Sequence, residues 1–198
     1  MTKRSIASFV SIAAMSMAAS LAAQTAPATA PPPGPPKPGL TLTTSAFDDG
    51  GIIPNKYTVA ATPATPVSPP LAWSYAPDGT VSFALIVLDP DAAIAHRTDE
   101  VLHWMMFNIP GTITSLPEGV PPQAQLPDGS IQALNRHKGV GYMGMGAPAA
   151  GPNHHYTFQL YALDIKLALG PDATLPDVEA AMQGHILGKG VLVGRFHR

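Results

Sequence analysis

Three ionisable side chains stand where their types and spacing could do chemistry. Asp89 and Asp91 are two residues apart at the end of one apolar run, and His103 begins the next. Two carboxylates and an imidazole at the ends of buried strands are groups of the kind that line a ligand site. The pattern predicts a ligand site where buried structure ends.

Each of these residues also has a structural interpretation. His103 could be a core histidine that donates to a neighbouring carbonyl, and the two aspartates could serve only as turn residues. We favour pocket lining for Asp89, and for Asp91 a mixed structural role in the turn that follows. His155 should point away from the face of His154 and be structural. The residues alone assign no partner to four other histidines, which are His96, His137, His185 and His197.

Residues 135–152 are predicted to form a long loop that is rich in glycine. Such a loop lets the backbone approach a ligand closely, although it could equally be a flexible connection. The spacing of its glycines fits neither a P-loop nor a dinucleotide-binding loop. Its glycines are Gly139, Gly141, Gly144, Gly146 and Gly151.

Most of the remaining pattern indicates β-strands. The unbroken apolar run 83–88 is typical of a strand covered on both faces, and 155–164 alternates as a half-buried strand does. Residues 71–75 are predicted to form a hairpin with the strand at 82, with Leu71, Trp73 and Tyr75 on one face. Residues 191–196 would close the chain as a short strand. A mainly β fold follows, a sandwich with one late helix.

That helix is predicted over residues 176–187. Thr174 and Asp177 are spaced as a capping pair, and an apolar stripe follows that ends at His185.

The first forty residues are expected to lie outside this domain. Residues 1–23 have two basic residues, Lys3 and Arg4, followed by an apolar stretch of small residues, which favours a secretory signal peptide over a membrane anchor. Residues 24–39 are rich in proline and alanine and predict an extended tether. Residues 40–198 would form the domain. We therefore expect a periplasmic or secreted protein whose mature chain has no integral membrane segment.

The composition and charge of the chain exclude several classes of function. The chain has no cysteine, which excludes disulfides, thiol catalysis and a lipoprotein attachment. The net charge is −2, and removal of Lys3 and Arg4 with a signal peptide would make it −4. No basic run remains to follow a phosphate backbone, so we expect no nucleic-acid partner.

Several separated motifs resemble the phosphatidylethanolamine-binding proteins, also called Raf kinase inhibitor-like proteins, in their bacterial branch. The resemblance covers roughly residues 40–198. It is carried by Leu71-Ala72-Trp73, Asp89-Pro90-Asp91-Ala92, His103-Trp104, Asn108-Ile109-Pro110, Gly141-Tyr142-Met143-Gly144, Gly151, His154-His155-Tyr156-Thr157-Phe158, Leu160-Tyr161-Ala162-Leu163-Asp164, Met182-Gln183-Gly184-His185-Ile186-Leu187, Gly194 and Arg195.

The resemblance implies a Greek-key antiparallel β-sandwich with a small pocket for anionic groups such as phosphate, phosphorylethanolamine or acetate. Two positions depart from the family pattern, since Ala93 and Ala147 stand where prolines are usual, and the shape of the pocket mouth would differ accordingly. By position, the implied ligand-binding residues are Asp89, Asp91, His103, Gly144, Gly146, Pro148, His154 and Tyr156. Their chemistry agrees with this implication, since imidazoles, backbone N–H groups and a phenol can donate to a phosphate, while carboxylates can fix a histidine tautomer or accept from an ammonium group.

The function favoured by the sequence is an exported, non-catalytic binder of a small anion or phospholipid headgroup, with no cofactor and no metal. An inhibitor of an envelope protease is one alternative. The other is a metal-dependent hydrolase that uses His103, His154 and a carboxylate, since such ligands suit zinc. Against an enzyme, the chain has no HExxH motif and no Gly-x-Ser-x-Gly motif.

Overall fold

The computed structural model describes residues 37–92 and 98–198. The expected signal peptide and most of the expected tether lie outside these residues, as do Ala93, His96 and Arg97. In chain order the strands are β1 (Thr41–Thr43), β2 (Gly51–Ile52), β3 (Leu71–Ser74), β4 (Ser82–Asp89), β5 (Val101–Pro110), β6 (Ser115–Leu116), β7 (Ile131–Gln132), β8 (His154–Leu163) and β9 (Ile186–Phe196).

The strands form two sheets, which confirms the expected mainly β sandwich. β1, β3 and β6 form a three-stranded sheet, and the other strands form a six-stranded sheet in the order β2-β9-β8-β4-β5-β7. β4 pairs antiparallel with both β5 and β8, so these three strands are the centre of the larger sheet. The ends of β4, β5 and β8 carry the site described below.

Both faces of the larger sheet are covered along β4. Phe83, Leu85 and Val87 belong to the core shared with the smaller sheet. Ile86 and Leu88 belong to a second core, which is closed by the helix. Because alternate side chains of a strand enter opposite cores, both faces must be apolar. This arrangement confirms the interpretation of the unbroken apolar run.

The α-helix, α1 (Leu175–Met182), begins as predicted and ends earlier. Thr174 and Asp177 form the expected capping box. The helix ends before Gly184, whose φ of 81° is unfavourable for other residues, and β9 then starts at Ile186. His185 is therefore not on the helix stripe. Its Nδ1 instead lies 2.9 Å from Oδ1 of Asp164. The predicted end of the helix and the predicted start of the last strand were therefore wrong.

The predicted hairpin between residues 71–75 and β4 was also wrong, because β3 and β4 belong to different sheets. Leu71 and Trp73 are buried as expected, but Tyr75 is 59% exposed. Its positive φ of 58° turns the chain out of the strand before the turn at Gly79. The turn residues after β3 therefore connect the two sheets, and β3 pairs with β1 and β6 instead.

Asn108 connects β5 to the segment before α1. It is buried, and its side-chain amide forms hydrogen bonds with both the carbonyl and the N–H of Leu167. Its Nδ2 donates to the Leu167 carbonyl at 2.9 Å and its Oδ1 accepts from the Leu167 N–H at 2.7 Å. Its φ of 57° is one that asparagine tolerates better than alanine.

We expect Asn108→Ala to lower the free energy of unfolding by about 2–3 kcal/mol, because both backbone groups of Leu167 lose their partner in a buried site. Urea denaturation measures this loss. Asn55→Ala is the control, since Asn55 is exposed. Equal stability of the two variants would contradict the assigned role of Asn108.

Candidate functional site

A cavity of about 860 Å³ lies where β4 ends and β5 and β8 begin. Tyr156 is fully buried and stands behind the cavity wall rather than on it. The other residues that the sequence nominated all line the cavity, namely Asp89, Asp91, His103, Gly144, Gly146, Pro148 and His154.

Asp89 is the last residue of β4 and is only 3% exposed. A buried carboxylate is costly unless its oxygens accept hydrogen bonds. Here Oδ1 accepts from the backbone N–H of Asp91 at 3.0 Å, and Oδ2 lies 2.8 Å from Nδ1 of His154. With Asp89 ionised, its oxygen can only accept, so Nδ1 of His154 carries the proton and Nε2 is left for a ligand.

Asp91 contacts a histidine of β8 in the same way as Asp89 contacts His154. Its Oδ2 accepts from the backbone N–H of His155 at 2.7 Å and lies 2.8 Å from Nδ1 of the same residue. The backbone hydrogen bond is the main reason that the pKa of Asp91 lies below its ordinary value. His155 points away from the cavity lining, as expected, and it fixes the turn after β4 to the start of β8.

His103 is held from the opposite side of the cavity. Its Nδ1 lies 3.0 Å from the carbonyl oxygen of Met143, and the Met143 N–H donates to the His103 carbonyl at 2.9 Å. A carbonyl can only accept, so Nδ1 is the protonated nitrogen in neutral His103. Burial lowers the pKa of this imidazole, while the Met143 carbonyl and the charge of Asp89 oppose the shift. His103 is therefore mainly neutral at pH 7.

Tyr156 supports the glycine loop and His103 from behind. Its hydroxyl oxygen accepts from the backbone N–H groups of Gly146 and Ala147 at 3.2 and 3.1 Å. Its ring meets the His103 ring edge-on, with 5.1 Å between centroids. Burial, followed by the charge of Asp89, raises the pKa of Tyr156, so the phenol stays protonated. These two loop N–H groups are thus already occupied by the phenol.

The loop also packs tightly against the segment that follows the short 3-10 helix Asn55–Tyr57. The Val59 N–H donates to the Met145 carbonyl at 2.9 Å. A Cβ on Gly144 would lie 2.7 Å from Cγ of Pro66 and 3.0 Å from the backbone carbon of Thr58. Only glycine allows this approach, which is the structural reason for the residue at 144.

Three cationic or titratable residues of the cavity were not predicted from the sequence. Arg136, His137 and Arg198 all line it. The signal was present as the polar run that opens the glycine-rich loop and as the basic end of the chain. Neither segment has a residue spacing that any motif requires. Only the fold brings Arg136, His137 and Arg198 to the two central histidines of the cavity, His103 and His154.

Within residues 37–92 and 98–198, no three His, Asp or Glu side chains are grouped so that they could hold a metal ion together. In the same ranges, no helix is long and apolar enough to cross a membrane.

A family model described as phosphatidylethanolamine-binding protein matches residues 43–197. The chain belongs to this family. The match includes all the central cavity residues and ends just before Arg198, and it confirms the resemblance found in the sequence.

Similar proteins agree in sequence and in fold. A UPF0098 protein of Methanothermobacter thermautotrophicus is 45% identical over 159 residues, which cover 80% of this chain and 99% of the relative. The crystal structure of the family homologue CT736 from Chlamydia trachomatis is 32% identical with a TM-score of 0.71, covering 81% of this chain and 98% of that one. Escherichia coli YbcL, described as a new member of the mammalian family, is 26% identical with a TM-score of 0.72, covering 81% and 99%.

The lowered pKa of His103 predicts a pH dependence of stability. Its folded pKa lies below the unfolded value of 6.5, so the unfolded chain binds the proton first as pH falls. This group therefore makes stability decrease as pH is lowered through and below 6.5, until the folded pKa is reached. Urea unfolding at pH 7.5 and 5.5 should show a smaller acid loss in His103→Gln than in the wild type. Identical losses would contradict the assignment.

Proposed function

We propose that the chain is an exported, non-catalytic binding protein whose cavity takes a small anion, either phosphate or a phospholipid-headgroup-like phosphate ester. One observation carries the proposal. Two imidazoles from different strands, His103 and His154, line one cavity, and each is oriented through its Nδ1. Orientation by a second group is how proteins prepare a histidine to contact a ligand.

The chemistry of binding follows from these contacts. The N–H groups of Gly146 and Ala147 already donate to Tyr156, so the imidazoles are the principal donors left near Asp89. An anion next to His103 favours the imidazolium form and raises its pKa. Binding is then coupled to proton uptake, and affinity increases as pH falls from 8 towards 6.

Membership of the family supports a binding role. Metal-dependent hydrolysis remains the competing use of the same two histidines, and it differs from anion binding in what it requires. It needs a metal ion on the imidazole nitrogens, whereas anion binding needs protons there. Titration with zinc therefore separates the two.

Calorimetric titration of the purified protein with phosphorylethanolamine and with inorganic phosphate tests the proposal. We expect saturable binding that is tighter at pH 6 than at pH 8. His103→Gln should weaken it at least about tenfold, because the ligand loses a charged donor. His185→Gln is the control, since His185 bonds Asp164 away from the cavity.

Absence of anion binding, with stoichiometric zinc uptake that is lost in His103→Gln, would overturn the binding role in favour of a metal site. Circular dichroism of each variant establishes that the fold is kept.

Export rests on the sequence of residues 1–23. We expect the protein isolated from the producing cell to lack these residues, with cleavage after Ala22 or Ala23, and to be found in the periplasm or medium. Intact mass spectrometry of each cell fraction measures this. A full-length cytoplasmic species alone would contradict export.

A further inference from the structure

Two arginines that line the cavity have no side-chain partner among residues 37–92 and 98–198. Arg136 and Arg198 line the cavity, and both are exposed at its mouth. Within the described ranges, neither guanidinium has a hydrogen bond or an ion pair. A guanidinium is always charged and offers a planar set of donors that matches a carboxylate or a phosphate. Two such groups at one opening are a feature that the small-anion site does not explain.

The backbone places each arginine just outside one of the two central histidines. The Arg136 N–H donates to the carbonyl of Leu102 at 2.9 Å, and Leu102 directly precedes His103. On the other side Phe196 pairs with His154, and Arg198 follows Phe196 by two residues. An extended chain advances about 3.3 Å per residue, so Arg198 lies at most roughly 7 Å beyond the register of His154 along the strand.

Within the described residues, the carboxylates that line the cavity are not paired with these arginines. Asp89 lies 2.8 Å from Nδ1 of His154, and Asp91 accepts two hydrogen bonds from His155. Both carboxylates are thus committed to histidines on β8. The guanidinium groups of Arg136 and Arg198 therefore keep their hydrogen-bond donors available for a ligand at the mouth.

We propose that Arg136 and Arg198 form a second anion subsite at the mouth of this cavity, which binds a carboxylate or phosphate on the outer end of a phosphate ester. The inference rests on the proposed function, since the first anionic group of the ligand lies at His103 and His154. The preferred ligand class is a phosphate ester with two separated anionic groups. An ester that carries only an ammonium group at its outer end leaves the arginines unpaired.

O-phosphoserine and phosphorylethanolamine are a matched pair of probes, because they differ only by one carboxylate. We expect O-phosphoserine to bind the wild-type protein about fivefold to tenfold more tightly, since exposed charge-assisted hydrogen bonds contribute modestly. The preference should decrease in 0.5 M salt, because exposed charges are screened. Phosphatidylserine and phosphatidylethanolamine, each presented in phosphatidylcholine vesicles, form a second arm that tests the same headgroups on a lipid.

The variants are Arg136→Gln and Arg198→Gln, with Lys138→Gln as the control. Lys138 belongs to the same loop as Arg136 and does not line the cavity. Each arginine variant should lose most of the preference for the serine ester and keep its affinity for phosphorylethanolamine, while Lys138→Gln keeps both. Arginine-dependent preference in either arm supports the subsite, and the arm in which it occurs identifies a free ester or a lipid headgroup as the source.

Equal binding of both headgroups by the wild type in both arms would overturn the second subsite and leave the first intact. A preference that persists in both arginine variants would overturn it too. Failure to bind any of the probes would overturn the proposed function itself, and the second subsite with it.

Discussion

The burial of β4 on both faces is the constraint on which the site depends. A strand covered by two cores has no solvent-exposed face, so its polar groups must lie at its ends. Asp89 occupies such an end and is itself buried. A carboxylate in this position needs donors, and His154 at the start of β8 provides one. The contact between Asp89 and His154 thus provides the buried carboxylate with a donor at the end of the core. It also orients an imidazole that lines the cavity.

The second side of the cavity follows from a similar requirement at β5. His103, near the start of β5, shares reciprocal hydrogen bonds with Met143. These bonds attach the glycine-rich loop to the strand. Tyr156 holds the next part of that loop through two backbone N–H groups. The loop is therefore positioned by side chains that belong to the sheet. Gly144 serves close packing there, and the N–H of Gly146 already donates to Tyr156.

Sequence patterns predicted the parts of this structure that depend on local periodicity. The two-sided burial of β4, the alternation of β8 and the capping box of α1 were all evident from the residues. The end of the helix and the partner of β3 were not, because both depend on which sheet the neighbouring segment joins. Asp89, Asp91 and His103 were identified from their positions at the ends of apolar runs, whereas His154 and Tyr156 were named through a family resemblance. Arg136 and Arg198 were missed because nothing in their local sequence shows that they lie beside His103 and His154.

The cavity therefore combines two kinds of residue with different freedom to change. Asp89, His103 and Tyr156 each support the core or the loop as well as the cavity, so we expect their replacement to change stability as well as binding. Arg136 and Arg198 are exposed and unpaired within the described residues, so we expect their replacement to leave the surrounding packing unchanged. Under the proposed function, discrimination between ligands that share a phosphate is thus adjusted at the mouth at little cost in stability, because the interior groups proposed to bind the common phosphate are fixed by the fold.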